Sequence, residues 1–135
     1  GIKHKAAGVL LVHETGPAKG REQRCSAAYP DLDVCFFGHS HIPCVFTLEP
    51  HGILVELVSE SRVRYPLRKG LRYLINPGSI GQPRDRNAAA SYAIYDAAAQ
   101  VVHFDRVTYP AEKARDKIYK AGLPHILGDR LLVGA

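Results

Sequence analysis

Apolar positions fall in short dense runs divided by turn residues, and their period changes once along the chain. Gly8-Val9-Leu10-Leu11-Val12 is a continuous run of strand length that stops at His13, with Gly16-Pro17 marking a loop beyond it. Residues 21–29 read as weakly helical, ended by Pro30-Asp31. Val34-Cys35-Phe36-Phe37 is apolar on both faces, which predicts a strand at the centre of a sheet covered on both sides. Residues 44–48 and 53–58 are β-rich around Pro50-His51-Gly52, the pattern of a hairpin. Residues 72–75 predict a short strand before Asn76-Pro77-Gly78-Ser79, and residues 91–95 and 101–107 predict a second hairpin. Past Pro110 the spacing turns helical, through Ala111, Ala114, Ile118 and Ala121 to a stop at Gly122. A second short helix is predicted over 124–132. No internal repeat, low-complexity tract or linker breaks the pattern.

Composition narrows this picture. A chain of 135 residues, 46% of them apolar, suits one cored domain rather than a disordered segment. No apolar run approaches the roughly 20 residues of a bilayer span. Val9 to Val12 is also too short for the core of a signal peptide, so no membrane partner is expected. Cys25, Cys35 and Cys44 are odd in number and lack CxxC spacing. They predict reduced thiols in a cytoplasmic protein rather than a disulfide framework or a zinc site. The net charge of +5 raises nucleic acid as a partner, but the basic residues are spread over many segments, which argues against it. The densest group, Arg62, Arg64, Arg68, Lys69 and Arg72 with Tyr65 and Tyr73 interleaved, reads as a solvated loop or hairpin face, with a polyanion patch as the alternative. The chain has no methionine and opens at Gly1, as a processed start or a fragment would.

Candidate chemistry begins at Gly38-His39-Ser40-His41, directly after an apolar strand. In an extended chain the side chains at i and i+2 share a face, with Cα atoms roughly 6.6 Å apart, so His39 and His41 would reach toward one place. Gly38 permits a sharp turn there. His13 also ends an apolar strand, and if the two strands are parallel neighbours all three imidazoles open at one edge. Such a set suits zinc, manganese, iron or nickel better than calcium or magnesium. Ordinary structural histidines remain the alternative on spacing alone.

Here the sequence resembles a family. FGHSH at 37–41 is similar to the GHxH motif of the calcineurin-like metallophosphoesterases, and LLVH at 10–13 to the strand that delivers an earlier histidine ligand in them. YLINPGSIGQPRDRNAAASYAIYD at 73–96 resembles the NPGSxGQPRD segment of a small bacterial and archaeal branch, and the tail at 117–134 resembles its closing helices. The resemblance implies an α/β fold, a two-sheet sandwich flanked by helices. It implies two divalent metal ions, with His13 and His39 on one and His41 on the other. It implies hydrolysis of phosphate monoesters or diesters by a hydroxide activated between them. The family's DxH, GDxxD and GNH motifs, which supply the bridging aspartate and the histidine that assists the leaving group, do not stand before His13. Residues 1–135 are therefore expected to form a single partial domain, the C-terminal half, with no catalytic histidine of its own. Its expected partners are a phosphate-ester substrate, the missing N-terminal half, or further copies of itself. Alone it is expected to be inactive, and a non-catalytic metal-binding or regulatory module is the alternative. Glu14 stands where the family has glycine, and residues 51–71 look like an insertion.

Two further residues are substrate-binding candidates. Asn76 either contacts substrate or serves the backbone geometry of a tight turn. Arg84 either offers bidentate hydrogen bonds to a phosphate or pairs with Asp85, Asp96 or another carboxylate.

Overall fold

The computed structural model describes the backbone of residues 3–6 and 9–12 and the whole of residues 32–135. The predicted helix over 21–29, together with His13 and Cys25, lies outside the described residues. The strands are β1 (Lys3–Ala6), β2 (Val9–Val12), β3 (Val34–Phe37), β4 (Cys44–Glu49), β5 (Gly52–Leu57), β6 (Val63–Pro66), β7 (Arg72–Asn76), β8 (Ala90–Asp96) and β9 (Val101–Val107). Two helices follow, α1 (Ala111–Lys120) and α2 (Ile126–Val133). The strands form a six-stranded sheet ordered β1-β2-β3-β7-β4-β5 and a three-stranded sheet ordered β6-β9-β8.

As its two apolar faces require, β3 is central, running parallel to both β2 and β7. Its even-numbered residues Val34 and Phe36 join Val45, Tyr73 and Ile75 in facing Val102 and Phe104 of the smaller sheet, and this is the main core. The odd-numbered Cys35 packs with Leu32 and Leu74 on the opposite side, bordered by Phe37, Phe46 and Leu48. The period of two thus divides one short strand between two apolar layers. Thr47, fully buried, places its hydroxyl 3.4 Å from that of Tyr65, which in turn donates to Glu56. Burial, with that bond to Glu56, pushes the Tyr65 phenol up to about 12.

Both predicted hairpins form. In the first, Glu49 pairs with Gly52 around Pro50-His51. In the second, Asp96 Oδ1 accepts from the amides of Ala98 and Ala99 at 3.0 and 2.9 Å and so closes the turn. The basic stretch is more ordered than a loop. Val63 to Pro66 pairs with β9 as the edge of the smaller sheet, with Val63 and Tyr65 half-buried and Arg64 and Pro66 exposed. Only two apolar positions mark that strand, too few to stand out among the arginines. The other unpredicted strand, Lys3–Ala6, lacks apolar alternation altogether and is held to β2 by antiparallel pairing.

The first helix ends where Gly122 predicts. Gly122 follows α1 at φ 68°, and Gly128 of α2 sits so close to α1 that a Cβ would meet Arg115 Cγ at 2.8 Å and Tyr119 Cε1 at 2.9 Å. The end of the chain returns to the loop after β7, where the Arg86 amide donates to the Gly134 carbonyl at 2.8 Å. Among the described residues no helix is long and apolar enough to cross a membrane.

Candidate functional site

Parallel pairing decides where the histidines go. Because Val12 lies opposite Phe37 and Phe36 opposite Ile75, strands β2, β3 and β7 all end at one edge of the large sheet. Gly38-His39-Ser40-His41 leaves β3 there, and Asn76-Pro77-Gly78-Ser79 leaves β7 beside it. This carboxyl edge is where α/β sheets place their sites. His13 is the residue after Val12, so the chain leaves β2 at the same edge, but His13 itself lies outside the described residues.

The histidine loop is not extended, contrary to the geometry assumed from spacing. His39 has φ 85° and His41 φ 61°, both left-handed, with Ser40 between them. β3 has ended at Phe37, so the alternation of a strand does not carry into the loop. Non-glycine residues rarely hold such angles unless their surroundings enforce them, and functional sites are where they gather.

The enforcement comes from the loop after β7. His41 Nδ1 lies 2.7 Å from the Gln82 carbonyl oxygen. A carbonyl oxygen only accepts, so Nδ1 carries the proton, and the tautomer this bond selects has its lone pair on Nε2. Asn76, fully buried, donates from Nδ2 to Ser40 Oγ at 2.8 Å and accepts the Gly78 amide on Oδ1 at 2.9 Å. Ser79 Oγ accepts the amides of Gly81 and Gln82 at 3.2 and 2.9 Å, shaping the turn that carries the Gln82 carbonyl. Ser91 Oγ donates to the Pro77 carbonyl at 2.7 Å and fastens the turn to β8. Gly78 has φ 91°, and a Cβ there would lie 2.7 Å from Pro43 Cγ and from the Ser91 side chain. Cys44 pairs with Asn76 across the strands, and burial pushes its thiol up to about 11.

Of the five candidate residues, the structure brings His39, His41 and Asn76, together with Ser40, into one unit of two loops. His39 is exposed and His41 half-buried. Asn76 spends both ends of its amide on that unit. Arg84 is exposed, and the ion pair expected for it with Asp85 does not form: Asp85 pairs instead with Arg106. That pair is nearly sealed, with side chains 13% and 6% exposed. Asp96 is taken by its own turn. Sequence reasoning did not single out Gln82, Ser40, Ser91 or the Asp85–Arg106 pair. The Gln82 contact is made by a main-chain oxygen, which residue identity does not encode.

The donor set fits a metal in one respect. A histidine whose Nδ1–H is held by a carbonyl presents Nε2 in a fixed direction, the usual arrangement of a ligating imidazole. Among the described residues there is no group of three or more His, Cys, Asp or Glu side chains able to hold an ion, so further ligands would have to come from His13 and from outside these residues.

Together these features define a two-sheet α/β protein whose candidate site lies at the carboxyl ends of parallel strands, with one loop carrying two histidines and a second bonded to it. The chain belongs to the calcineurin-like phosphoesterase superfamily, whose domain model matches residues 2–100. It is 44% identical over 102 residues to Uncharacterized protein MJ0912 of Methanocaldococcus jannaschii, a match covering 76% of this chain and 40% of that protein. In three dimensions it resembles the crystal structure of a metallophosphoesterase from Sphaerobacter thermophilus. The TM-score is 0.80 at 28% identity, over 98% of this chain and 59% of that one. The chain thus spans 40% and 59% of the lengths of these two relatives. The family generally uses divalent metals, and its members support a hydrolase reading.

Proposed function

We propose that this chain supplies the histidine edge of a cytoplasmic, metal-dependent phosphoesterase that hydrolyses phosphate monoesters or diesters. The observation that carries the reading is the hydrogen bond from His41 Nδ1 to Gln82 O, at 2.7 Å. It fixes the tautomer in which Nε2 is free to ligate. His39, His41 and His13 are the residues that would hold divalent ions such as manganese, zinc, iron or nickel. When bound, such ions supply Lewis acidity and charge neutralisation to a phosphoryl group under attack by water. The chain's own part is positional. Asn76 and Ser40 keep the histidine loop in its left-handed path, and Ser79 keeps the Gln82 carbonyl in place. Arg84, exposed beside the site, contributes positive charge toward an anionic ester.

The test is metal binding followed by turnover. Calorimetric titration with manganese or zinc is expected to show binding that His41→Ala weakens, by about tenfold or more. Equal affinity in the variant would remove His41 from the site. By itself the 135-residue chain is expected to turn over neither p-nitrophenyl phosphate nor its bis-ester, because histidines cannot supply the anionic ligand that bridges two dications. Robust manganese-dependent turnover abolished by His39→Ala would overturn that expectation.

A further inference from the structure

Next to the histidine loop lies a cleft of about 290 Å³ whose walls include Ile42, Pro43, Leu57, Val58, Arg84 and Arg86. It begins one residue after His41 and two after Gln82, the partners of the site's defining hydrogen bond. One wall is apolar, with Leu57 71% exposed at its rim. The other is cationic, and its geometry follows from Arg84-Asp85-Arg86. Asp85 turns inward to the buried Arg106, which leaves Arg84 and Arg86 exposed on either side of it. Among the described residues neither guanidinium makes an ion pair or side-chain hydrogen bond. Among the described residues Asp85 is the only carboxylate lining the cleft, and it is already paired. Arg86 is also held at φ 62°, and its amide is tied to Gly134 O at 2.8 Å, so its backbone is fixed. Two exposed guanidiniums beside an apolar wall match an anion attached to an apolar group, because Arg forks bind phosphate oxygens in pairs.

We propose that this cleft is a specificity subsite for the part of the substrate that does not react, and that it selects organic esters carrying a second phosphate group. Arg84 and Arg86 hold that phosphate, and Ile42, Pro43 and Leu57 cover the organic moiety. The inference rests on the phosphoesterase reading for the role of the neighbouring edge, but the binding itself needs no metal and can be measured without it.

The probe is phenyl phosphate, titrated calorimetrically into the metal-free chain with EDTA present. Saturable binding is expected, weakened about tenfold or more in Arg84→Gln/Arg86→Gln, the equivalent of at least one charge-assisted hydrogen bond. Both arginines are exposed, so the double variant is expected to melt like the parent. Leu57→Asp is expected to weaken phenyl phosphate more than inorganic phosphate. No saturable binding, or equal binding in the double arginine variant, overturns the proposal while leaving the histidine reading to its own metal titration. Loss of metal affinity tests nothing in the cleft, so the two failures are separable.

Discussion

Replacing Asn76 tests the link between the two loops directly. The side chain is fully buried and makes two hydrogen bonds, to Ser40 Oγ and from the Gly78 amide. In Asn76→Ala both are lost, each worth about 0.5–1.5 kcal/mol net, and the Gly78 amide is left without its acceptor at a further cost of about 1 kcal/mol. The sum is about 2–4 kcal/mol, or roughly 10 °C in Tm for a chain of this size. Asn76→Asp is a sharper instrument because it keeps the shape. Protonated, the new carboxyl can still donate to Ser40 and accept from Gly78; ionised, it is a charge without access to water. Burial therefore raises its folded pKa above the unfolded value of about 3.9. Because the folded state then binds the proton more tightly, the variant is closest to the parent below that value and loses stability as pH rises toward the folded pKa. Thermal melts of parent and variant between pH 4 and 8 measure the difference. A gap that stays constant across that range, or an Asn76→Ala variant within about 0.5 kcal/mol of the parent, would refute the assignment.

The Gly78→Ala substitution combines a left-handed φ with contacts at 2.7 Å, and a loss of about 2–4 kcal/mol is expected, whereas Gly81→Ala meets no atom within 4 Å and should cost far less; equal melting of the two would contradict the packing. Burial raises the Cys44 thiol to about 11, so at pH 8 iodoacetamide should leave it unmodified in the folded chain and label it on unfolding, as peptide mass spectrometry will show. Folding also disfavours this thiolate, so the associated stability is present below the ordinary value of 9.0 and declines as pH rises through about 11. Edge strand β5 exposes Ile53, Leu54, Val55 and Leu57 at 40%, 45%, 51% and 71%, so the chain is expected to self-associate and Val55→Lys to reduce this; light scattering that finds both monomeric at 0.1 mM, about the usual upper working range, would count against it.

What could be read in the sequence was what period and turn chemistry encode. Val34 to Phe37 announced a central strand, Pro50-His51-Gly52 a hairpin and Gly122 a helix stop, because each depends on residues close together in the chain. Val63 to Pro66 escaped because its place was set by β9 rather than by its own two apolar positions. The motif residues marked two loops that the structure joins by hydrogen bonds, but not their geometry. The left-handed path of His39 and His41 is imposed by Asn76 and Gln82, 36 and 41 residues away from their partners. Arg84 could be read as a candidate for phosphate or for an ion pair, yet the Asp85–Arg106 pair, which takes Asp85 from it, involves a partner 21 residues from Asp85 that carries no local mark.

The parallel pairing of β3 with β7 also has a kinetic consequence. Parallel neighbours cannot be joined by a tight turn, and here the intervening chain carries the β4–β5 hairpin. Contacts so distant in sequence form late, after the entropy of closing the loop has been overcome. The histidine loop is therefore expected to take its shape late in folding and to lose it when β7 separates from β3. In hydrogen exchange, the amides of Gly78 and Gln82 should open together with those of β7, making them native reporters of whether the site is assembled.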